Sequence, residues 1–158
     1  MSDPATAAAA PRLAYVNVFA RDIEALSGFY AALFGFREIE GHRSPIYRCL
    51  DAHGIELGFN ASKAFELLSL GSRGFQDDMS EGRPAPVSVY FTVELASRDA
   101  VEAAAVRTER LGGRVVKAPY LTYYNAVQAV LEDPEGNVFR VNHRLGARQP
   151  FAETGLQF

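Results

Sequence analysis

The hydrophobic pattern changes its period early in the chain. Residues 14–20 alternate between outward and inward positions, as a half-buried strand does. Asp22 then stands where a helix N-cap is expected, and Gly35 stands where a helix C-cap is expected. Between these two residues the apolar positions recur at helical spacing: Ile23, Leu26, Phe29, Tyr30, Leu33 and Phe34. The pattern predicts a strand followed by a helix.

Two repeats of one unit account for the rest of the pattern. After the first helix, short strands are predicted at 36–40, 46–51 and 55–60, with a hairpin turn at 51–54. The second half has the same order of elements: a strand at 87–93, a helix at 97–111, and strands at 114–117, 126–131 and 138–143. Asp99 and Glu102 are spaced like a capping box, and Gly112 with Gly113 ends this helix. The chain is therefore predicted to be two β-α-β-β-β modules.

This repeat divides the chain into five segments. They are a leader at 1–11, the first module at 12–70, an inter-module loop at 71–86, the second module at 87–145 and a C-terminal tail at 146–158. A short helix is predicted at 62–68, and the loop after it is rich in Gly, Ser, Asp and Pro. A loop of this length allows the modules to pair within one chain or to swap with a second chain.

A family resemblance rests on three groups of residues. They are Phe29-Tyr30 followed by Leu33-Phe34-Gly35-Phe36, then Gly112-Gly113, and finally the turn Asp133-Pro134-Glu135-Gly136-Asn137. In these residues the chain resembles the vicinal oxygen chelate superfamily of glyoxalase I, bleomycin resistance proteins and extradiol dioxygenases. The resemblance implies an α+β fold in which two modules form a cupped mixed sheet with the helices outside. It also implies a homodimer, on which Phe151, Leu156 and Phe158 of the tail either dock or form a frayed end.

The resemblance further implies metal ligands at four positions that face into the cup. This chain has Tyr15, Glu56, Ser88 and Arg140 at those positions. A divalent ion requires at least three good donors, and a guanidinium repels the ion itself. We therefore predict no metal and no cofactor at these positions. A metal held by ligands displaced by a residue or two stays open as an alternative.

The histidines and the single cysteine are not assigned to a metal. His42 and His53 lie in predicted turns, and His143 has the opposite strand parity to Arg140, so it faces away from the cup. We expect each histidine to be structural or solvated. Cys49 lies in an alternating strand and is expected to be a packing thiol instead of a nucleophile.

Strand parity gives the cup a mixture of aromatic rings, hydroxyls, amides and one cation, which is typical of a small-molecule pocket. The candidate ligand-binding residues are Tyr15, Asn17, Glu56, Ser88, Tyr90, Tyr123, Tyr124, Arg140 and Asn142. Arg140 is expected either to pair with Glu56 or to bind a carboxylate or phosphate. Tyr123 and Tyr124 precede the seventh strand, where they are candidates for a lid, a pocket wall or a partner contact.

Two functions remain open. The first is a metal-independent binding protein that captures an aromatic or anionic organic molecule in the cup. The second is an enzyme of the lyase, isomerase or dioxygenase-like kind, with Glu56 as the base and Arg140 stabilising an oxyanion. Both functions take a small organic molecule as the ligand or substrate.

Charge and composition exclude other classes. The net charge of -3 and the scattered arginines do not indicate a nucleic-acid partner. The Ala7–Ala10 run fits neither a signal peptide nor a membrane span, so no membrane partner is predicted. The single cysteine fits a reducing compartment, and we expect a cytoplasmic protein.

Overall fold

The structure, a computed structural model, describes residues 10–75, 87–147 and 151–155. Its helices and strands follow the predicted order: β1 (Tyr15–Ala20), α1 (Ile23–Phe34), β2 (Arg37–Glu38), β3 (Tyr47–Asp51), β4 (Glu56–Ala61), α2 (Lys63–Leu67), β5 (Phe91–Glu94), α3 (Arg98–Arg110), β6 (Arg114–Leu121), β7 (Ala126–Glu132) and β8 (Val138–Arg144). Most of the predicted leader, most of the inter-module loop, and Leu156 and Phe158 of the tail lie outside the described residues.

The two modules have the same sheet topology. The described strands form two separate four-stranded mixed sheets, in the orders β1-β4-β3-β2 and β5-β8-β7-β6. In each sheet the first and last strands of the module pair in parallel, and the remaining pairs are antiparallel. The predicted α+β fold of two β-α-β-β-β modules is confirmed. Within one chain, however, the described strands do not join into a single hydrogen-bonded cup.

Both long helices begin at a side-chain cap. The Asp22 carboxylate accepts a hydrogen bond from the Ala25 amide at 2.9 Å, and Gly35 ends α1 with φ 71°. The predicted capping box of α3 at Asp99 and Glu102 is wrong. The cap is Ser97, whose hydroxyl accepts from the Ala100 amide at 3.0 Å, because Ser97 directly precedes the first helical residue.

Two strands differ in length from their predictions. The strand predicted at 87–93 begins only at Phe91, because Phe91 pairs with Phe139 near the start of β8. In the same register Val89 and the residues before it would lie opposite Asn137 and the turn that precedes β8, where no strand is available to pair. Conversely, β6 runs on to Leu121 because β7 continues to pair with it, and Pro119 falls at an irregularity between Lys117 and Tyr120 where no ladder bond is required.

The helix-covered faces of the two sheets share one hydrophobic core. Tyr30 of α1 is fully buried, and its ring contacts Phe59 of the first module at a centroid distance of 5.6 Å. The same ring contacts Phe139 of the second module at 5.2 Å. Its hydroxyl donates a hydrogen bond of 2.8 Å to the buried carboxylate of Asp133. The opposite face of each sheet therefore points away from the core and is available for binding.

None of the helices in the described part of the chain combines the length and apolar composition that crossing a membrane requires.

Candidate functional site

The second sheet presents a cavity on the face opposite the core. Parallel pairing of β5 with β8 places Thr92 beside Arg140 and Glu94 beside Asn142. The cavity has a volume of about 410 Å³ and is lined by Thr92, Glu94, Tyr124, Arg140, Asn142 and Arg144. Alternate residues of a strand face the same side, so the parity argument placed Arg140 and Asn142 together correctly.

Arg140 has polar neighbours but no ionic partner among the described residues. Its Nε donates to the Thr92 hydroxyl at 2.9 Å, and its guanidinium carbon lies 4.8 Å from the centre of the Tyr90 ring. No carboxylate of the described chain lies within ion-pair distance of it, and no described residue accepts from its terminal nitrogens. The ion pair with Glu56 that the sequence left open is therefore not made within one chain.

Asn142 has an unsatisfied acceptor beside Arg140. Only 6% of the residue is exposed, and its Nδ2 donates to Glu94 Oε2 at 2.6 Å. The other oxygen of Glu94 accepts from the backbone amide of Arg144 at 2.7 Å. Asn142 Oδ1 is buried and has no hydrogen-bond partner among the described residues. A buried acceptor without a donor is costly, so this atom favours a ligand that carries an O–H or N–H group.

The tyrosine-rich segment forms the hairpin between β6 and β7. Tyr120 belongs to β6, and residues 122–125 make the turn, so this is a short hairpin connection and not a separate lid loop. Tyr124 lines the cavity, and its hydroxyl hydrogen-bonds with the side chain of Gln128. Gln128 in turn donates to the Tyr120 hydroxyl at 2.6 Å. Tyr123 meets the Tyr124 ring edge-on and is partly exposed.

Ser88 and Tyr90 precede β5 instead of lying within it. Both residues are exposed, and Ser88 is not among the residues that line the cavity beside Arg140. Tyr90 contributes its ring, which lies against the Arg140 guanidinium. Of the two residues, only Tyr90 reaches the site.

The first sheet has its own polar arrangement on the face opposite the core. Tyr15 is about half exposed there, and the Asn60 amide donates to Asn17 Oδ1 at 3.4 Å. Gly58 lies beneath the side chains of Asn17 and Tyr47, and a Cβ atom at position 58 would come within 2.2 Å of Asn17 Oδ1. Glycine at this position therefore lets the two polar side chains cross over the strand.

Glu56 contacts a histidine and the cysteine. Its Oε2 lies 3.4 Å from His42 Nδ1 and 3.7 Å from Cys49 Sγ. Burial, followed by the proximity of Glu56, raises the pKa of the Cys49 thiol. The sequence pattern did not predict this cluster, although it contains one signal for it. Cys49 lies opposite Gly58 across the hairpin, and Glu56 is two residues before Gly58. Cys49 and Glu56 are therefore diagonal neighbours on one face of adjacent strands.

The other two histidines lie elsewhere. The ring of His53 meets the edge of Phe36, and His143 Nδ1 lies 2.9 Å from the Leu95 carbonyl oxygen. His143 therefore faces the side away from Arg140, as its strand parity indicated.

The four positions at which the family resemblance implies metal ligands do not fit a metal in this chain. Tyr15 and Glu56 lie side by side on paired strands of the first sheet. Arg140 lies on the second sheet, and Ser88 lies before β5, the first strand of that sheet. Together they offer one carboxylate and one permanent cation, which is not a donor set for a divalent ion.

The fold and the cavity define a two-module β-α-β-β-β protein with room for a small molecule. The model of the glyoxalase-like domain matches residues 15–142. The chain therefore belongs to this glyoxalase-like family, within the vicinal oxygen chelate superfamily.

Solved structures agree with this assignment. The chain is similar to a glyoxalase/bleomycin resistance protein/dioxygenase family enzyme from Burkholderia phytofirmans PsJN, with 41% identity and a TM-score of 0.77 over 85% of this chain and 100% of that chain. A glyoxalase/bleomycin resistance protein/dioxygenase from Nocardioides shares 17% identity, with a TM-score of 0.65 over 92% of this chain and 91% of that one.

The lactoylglutathione lyase from Agrobacterium tumefaciens also shares 17% identity, with a TM-score of 0.59 over 84% of this chain and 92% of that one. At this level of identity, the likeness to the Nocardioides and Agrobacterium proteins extends to the fold alone. The comparison with curated proteins gave no match.

Proposed function

We propose that this protein binds a small organic anion in the cavity beside Arg140, and that this binding does not depend on a metal ion. The observation that carries the proposal is the half-buried Arg140 guanidinium, which has no carboxylate partner among the described residues. A guanidinium in such surroundings gains most from a bound anion, because its charge is then satisfied by hydrogen bonds.

The neighbours of Arg140 support an anion with a defined orientation. Thr92 accepts from Nε, which leaves the terminal nitrogens available for two parallel hydrogen bonds to a carboxylate or phosphate. Arg144 lines the same cavity and adds a second positive charge. The one acidic side chain of the cavity lining, Glu94, already accepts hydrogen bonds from Asn142 and from the backbone of Arg144.

The remaining groups indicate the rest of the ligand. Asn142 Oδ1 requires a donor, and the rings of Tyr90 and Tyr124 offer faces or edges for an aromatic or apolar part. A volume of about 410 Å³ lies in the range of ordinary small-molecule sites. The proposed ligand is therefore an organic carboxylate or phosphate that also carries a hydroxyl or N–H group.

A homodimer is part of the proposal. Exposed aromatic side chains lie at both faces opposite the core: 51% of Tyr15 is exposed, and so is 47% of Tyr90, whose ring contacts Arg140. A second copy that places its first sheet against the second sheet of this chain would cover such residues and enclose the cavity. That arrangement would place Glu56 of one copy across the enclosed cavity from Arg140 of the other, with the bound anion between them.

The test is a thermal-shift and calorimetric screen of small carboxylates and phosphates against their neutral ester or amide counterparts. We expect anions to bind, and Arg140→Gln to lower their affinity by about 10- to 100-fold, because a hydrogen-bonded charge contributes about 1.5–3 kcal/mol. Arg114→Gln is the matched control, since Arg114 lies on the same sheet but is already paired with Glu132 at 2.6 Å. Equal binding by the wild type and Arg140→Gln would refute the proposal.

An enzyme acting on the same class of ligand is the second candidate. The relative with 41% identity is named as an enzyme, and this similarity is what favours the alternative. Glu56 would then serve as the base and Arg140 would stabilise the developing oxyanion. In the proposed dimer these two groups come from different copies.

Mixing two inactive variants tests this second candidate. Glu56→Gln and Arg140→Gln should each abolish turnover alone, whereas their mixed dimer contains one site with both native residues. Activity recovered on mixing, at about half the wild-type level per mixed dimer, would support an enzyme with a shared site. Binding of the anion with no turnover by the wild type would favour capture.

A further inference from the structure

Three side chains of the first module bring three different metal-binding atoms together. His42 Nδ1 lies 3.6 Å from Cys49 Sγ, Cys49 Sγ lies 3.7 Å from Glu56 Oε2, and Glu56 Oε2 lies 3.4 Å from His42 Nδ1. Among the described residues these are grouped closely enough to share one ion. An imidazole, a thiol and a carboxylate are the donors that zinc takes in proteins.

The three distances match the edges of a zinc tetrahedron. With Zn–N of about 2.0 Å, Zn–S of about 2.3 Å and Zn–O of about 2.1 Å, tetrahedral angles separate the donors by about 3.4–3.6 Å. The observed separations lie within about 0.1 Å of these values, whereas a plain hydrogen bond between nitrogen and oxygen is near 2.9 Å. This spacing fits donors around a common centre, while the two sulfur distances alone are also those of ordinary S–H hydrogen bonds.

Regular structure positions these donors. Cys49 and Glu56 lie on neighbouring antiparallel strands, β3 and β4, on the face opposite the core. His42 ends a one-turn 3-10 helix, which is anchored because the Ile39 amide donates to the Cys49 carbonyl at 3.0 Å. Sites built on strands hold their geometry well, which favours metal binding over a chance contact.

We propose that His42, Cys49 and Glu56 bind one zinc ion, with a water or ligand at the fourth position. A cavity of about 260 Å³ opens beside Glu56, the one proposed ligand that lines it. Binding releases the Cys49 proton, because the thiolate is the ligand, and the thiolate and carboxylate then neutralise the charge of the ion. The set shares only Glu56 with the four positions that the family resemblance implies.

This inference goes beyond the proposed function, because the zinc site uses the first sheet and the anion site uses the second. It also constrains the enzyme alternative. A carboxylate that coordinates zinc cannot act as a free base, so occupation of the site by zinc and proton abstraction by Glu56 exclude each other.

The experiment uses the whole chain, freed of metal with a chelator and titrated with Zn²⁺ or Co²⁺. One ion is expected to bind per chain. The Co²⁺ form should show the visible bands of a tetrahedral ion and a thiolate-to-cobalt band in the near ultraviolet. Cys49 is the only cysteine, so that band can come from no other residue. Zinc should also slow the reaction of the thiol with a disulfide reagent.

Single substitutions test which side chains bind the zinc ion. His42→Asn, Cys49→Ser and Glu56→Gln should each lower the affinity for zinc by at least about tenfold, since even residues that only support a metal ligand have effects of 10–100-fold. His53→Asn is the matched control, because His53 lies in a left-handed turn, which asparagine tolerates, and makes none of these contacts. Circular dichroism of each variant checks that it is folded before its affinity is compared.

Two results would overturn the zinc site. One is the absence of a stoichiometric complex with either ion. The other is wild-type affinity for zinc in folded His42→Asn together with folded Cys49→Ser, which would place the ion elsewhere. Neither result bears on anion binding at Arg140, so this proposal and the proposed function can fail separately.

Discussion

The two modules share one topology but present opposite chemistry on their open faces. The first offers a carboxylate, a thiol and an imidazole at Glu56, Cys49 and His42. The second offers two guanidinium groups, Arg140 and Arg144, around a buried amide. Because the helices and the core are built alike in both, the repeat fixes the scaffold, whereas the side chains on the open face decide whether a module attracts a cation or an anion.

Substitutions in the core that the two modules share should have the largest effect on stability. Phe59 of the first module and Phe139 of the second are both fully buried and both contact Tyr30. We expect Phe139→Ala to lower the free energy of unfolding by about 3–5 kcal/mol, with Phe59→Ala in the same range. Urea unfolding followed by circular dichroism and by tyrosine fluorescence should give a single coincident transition. Two separate transitions would show that the modules are independent.

Gly113 of the second module and Gly58 of the first are both closely packed, but Gly113 lies against backbone and Gly58 lies against side chains. A Cβ at Gly113 would lie 2.5 Å from the Glu132 carbonyl oxygen, which belongs to the backbone, so Gly113→Ala should cost about 1–3 kcal/mol. A Cβ at Gly58 meets the ends of the Asn17 and Tyr47 side chains, which can rotate away. Gly58→Ala should therefore cost less stability. Denaturation midpoints measure both, and a larger loss for Gly58→Ala would contradict this reading.

The hydrogen bond from Tyr30 of the first module to Asp133 of the second should contribute to stability by an amount that depends on pH. Tyr30→Phe removes the donor to Asp133, and we expect it to lower the free energy of unfolding by about 1–2 kcal/mol at neutral pH. Burial raises the pKa of Asp133 in the folded protein, while the bond from Tyr30 opposes that rise. Protonation of Asp133 therefore favours the folded state. The contribution of Asp133 to the free energy of unfolding is full below the ordinary pKa of a carboxyl, and it is lost as the pH rises through the raised pKa of the folded protein.

Without the Tyr30 hydroxyl the pKa of Asp133 rises further, so the deficit of Tyr30→Phe should be smaller in acid than at neutral pH. Unfolding free energies of both proteins at several pH values measure this difference. A deficit that does not change with pH would show that the Asp133 carboxylate does not depend on this bond.

The helix caps give the smallest expected effect. Asp22→Ala and Ser97→Ala each remove one hydrogen bond to a backbone amide at a helix start, at a cost of about 0.5–2 kcal/mol. Similar decreases in the melting temperature of the two variants would show that the two caps contribute alike to stability. Substituting Asp99 instead of Ser97 should have the smaller effect, because its side chain is not the cap of α3.

Local signals were sufficient to predict most of the fold. The alternating strands, the helical spacing behind Asp22 and the stop at Gly35 are read from neighbouring residues, and the structure confirms them. The start of β5 was not predictable in this way, because it depends on where β8 begins to pair, almost fifty residues later. The cap of α3 was misassigned because a capping-box spacing also begins at Asp99, two residues after the actual cap Ser97.

The candidate site was less accessible from sequence. Parity correctly placed Arg140 and Asn142 on one face, since the faces of a strand follow from alternation alone. It did not reveal that Glu56 and Arg140 belong to separate sheets, which depends on how the two modules pack. It also missed His42, whose approach to Cys49 depends on a 3-10 turn and a bond from Ile39 that no periodic pattern indicates.

The turn before β8 has a further consequence for how the chain is assembled. Glu135, in the middle of that turn, accepts hydrogen bonds from the backbone amides of Arg21 and Asp22 at 2.6 and 3.2 Å. A carboxylate of the second repeat thus satisfies donors that precede the helix of the first. These bonds cross the interface and do not require the covalent connection between the halves. Two fragments divided within residues 76–86 would retain every one of these contacts, so the protein is suited to reconstitution from separately produced halves.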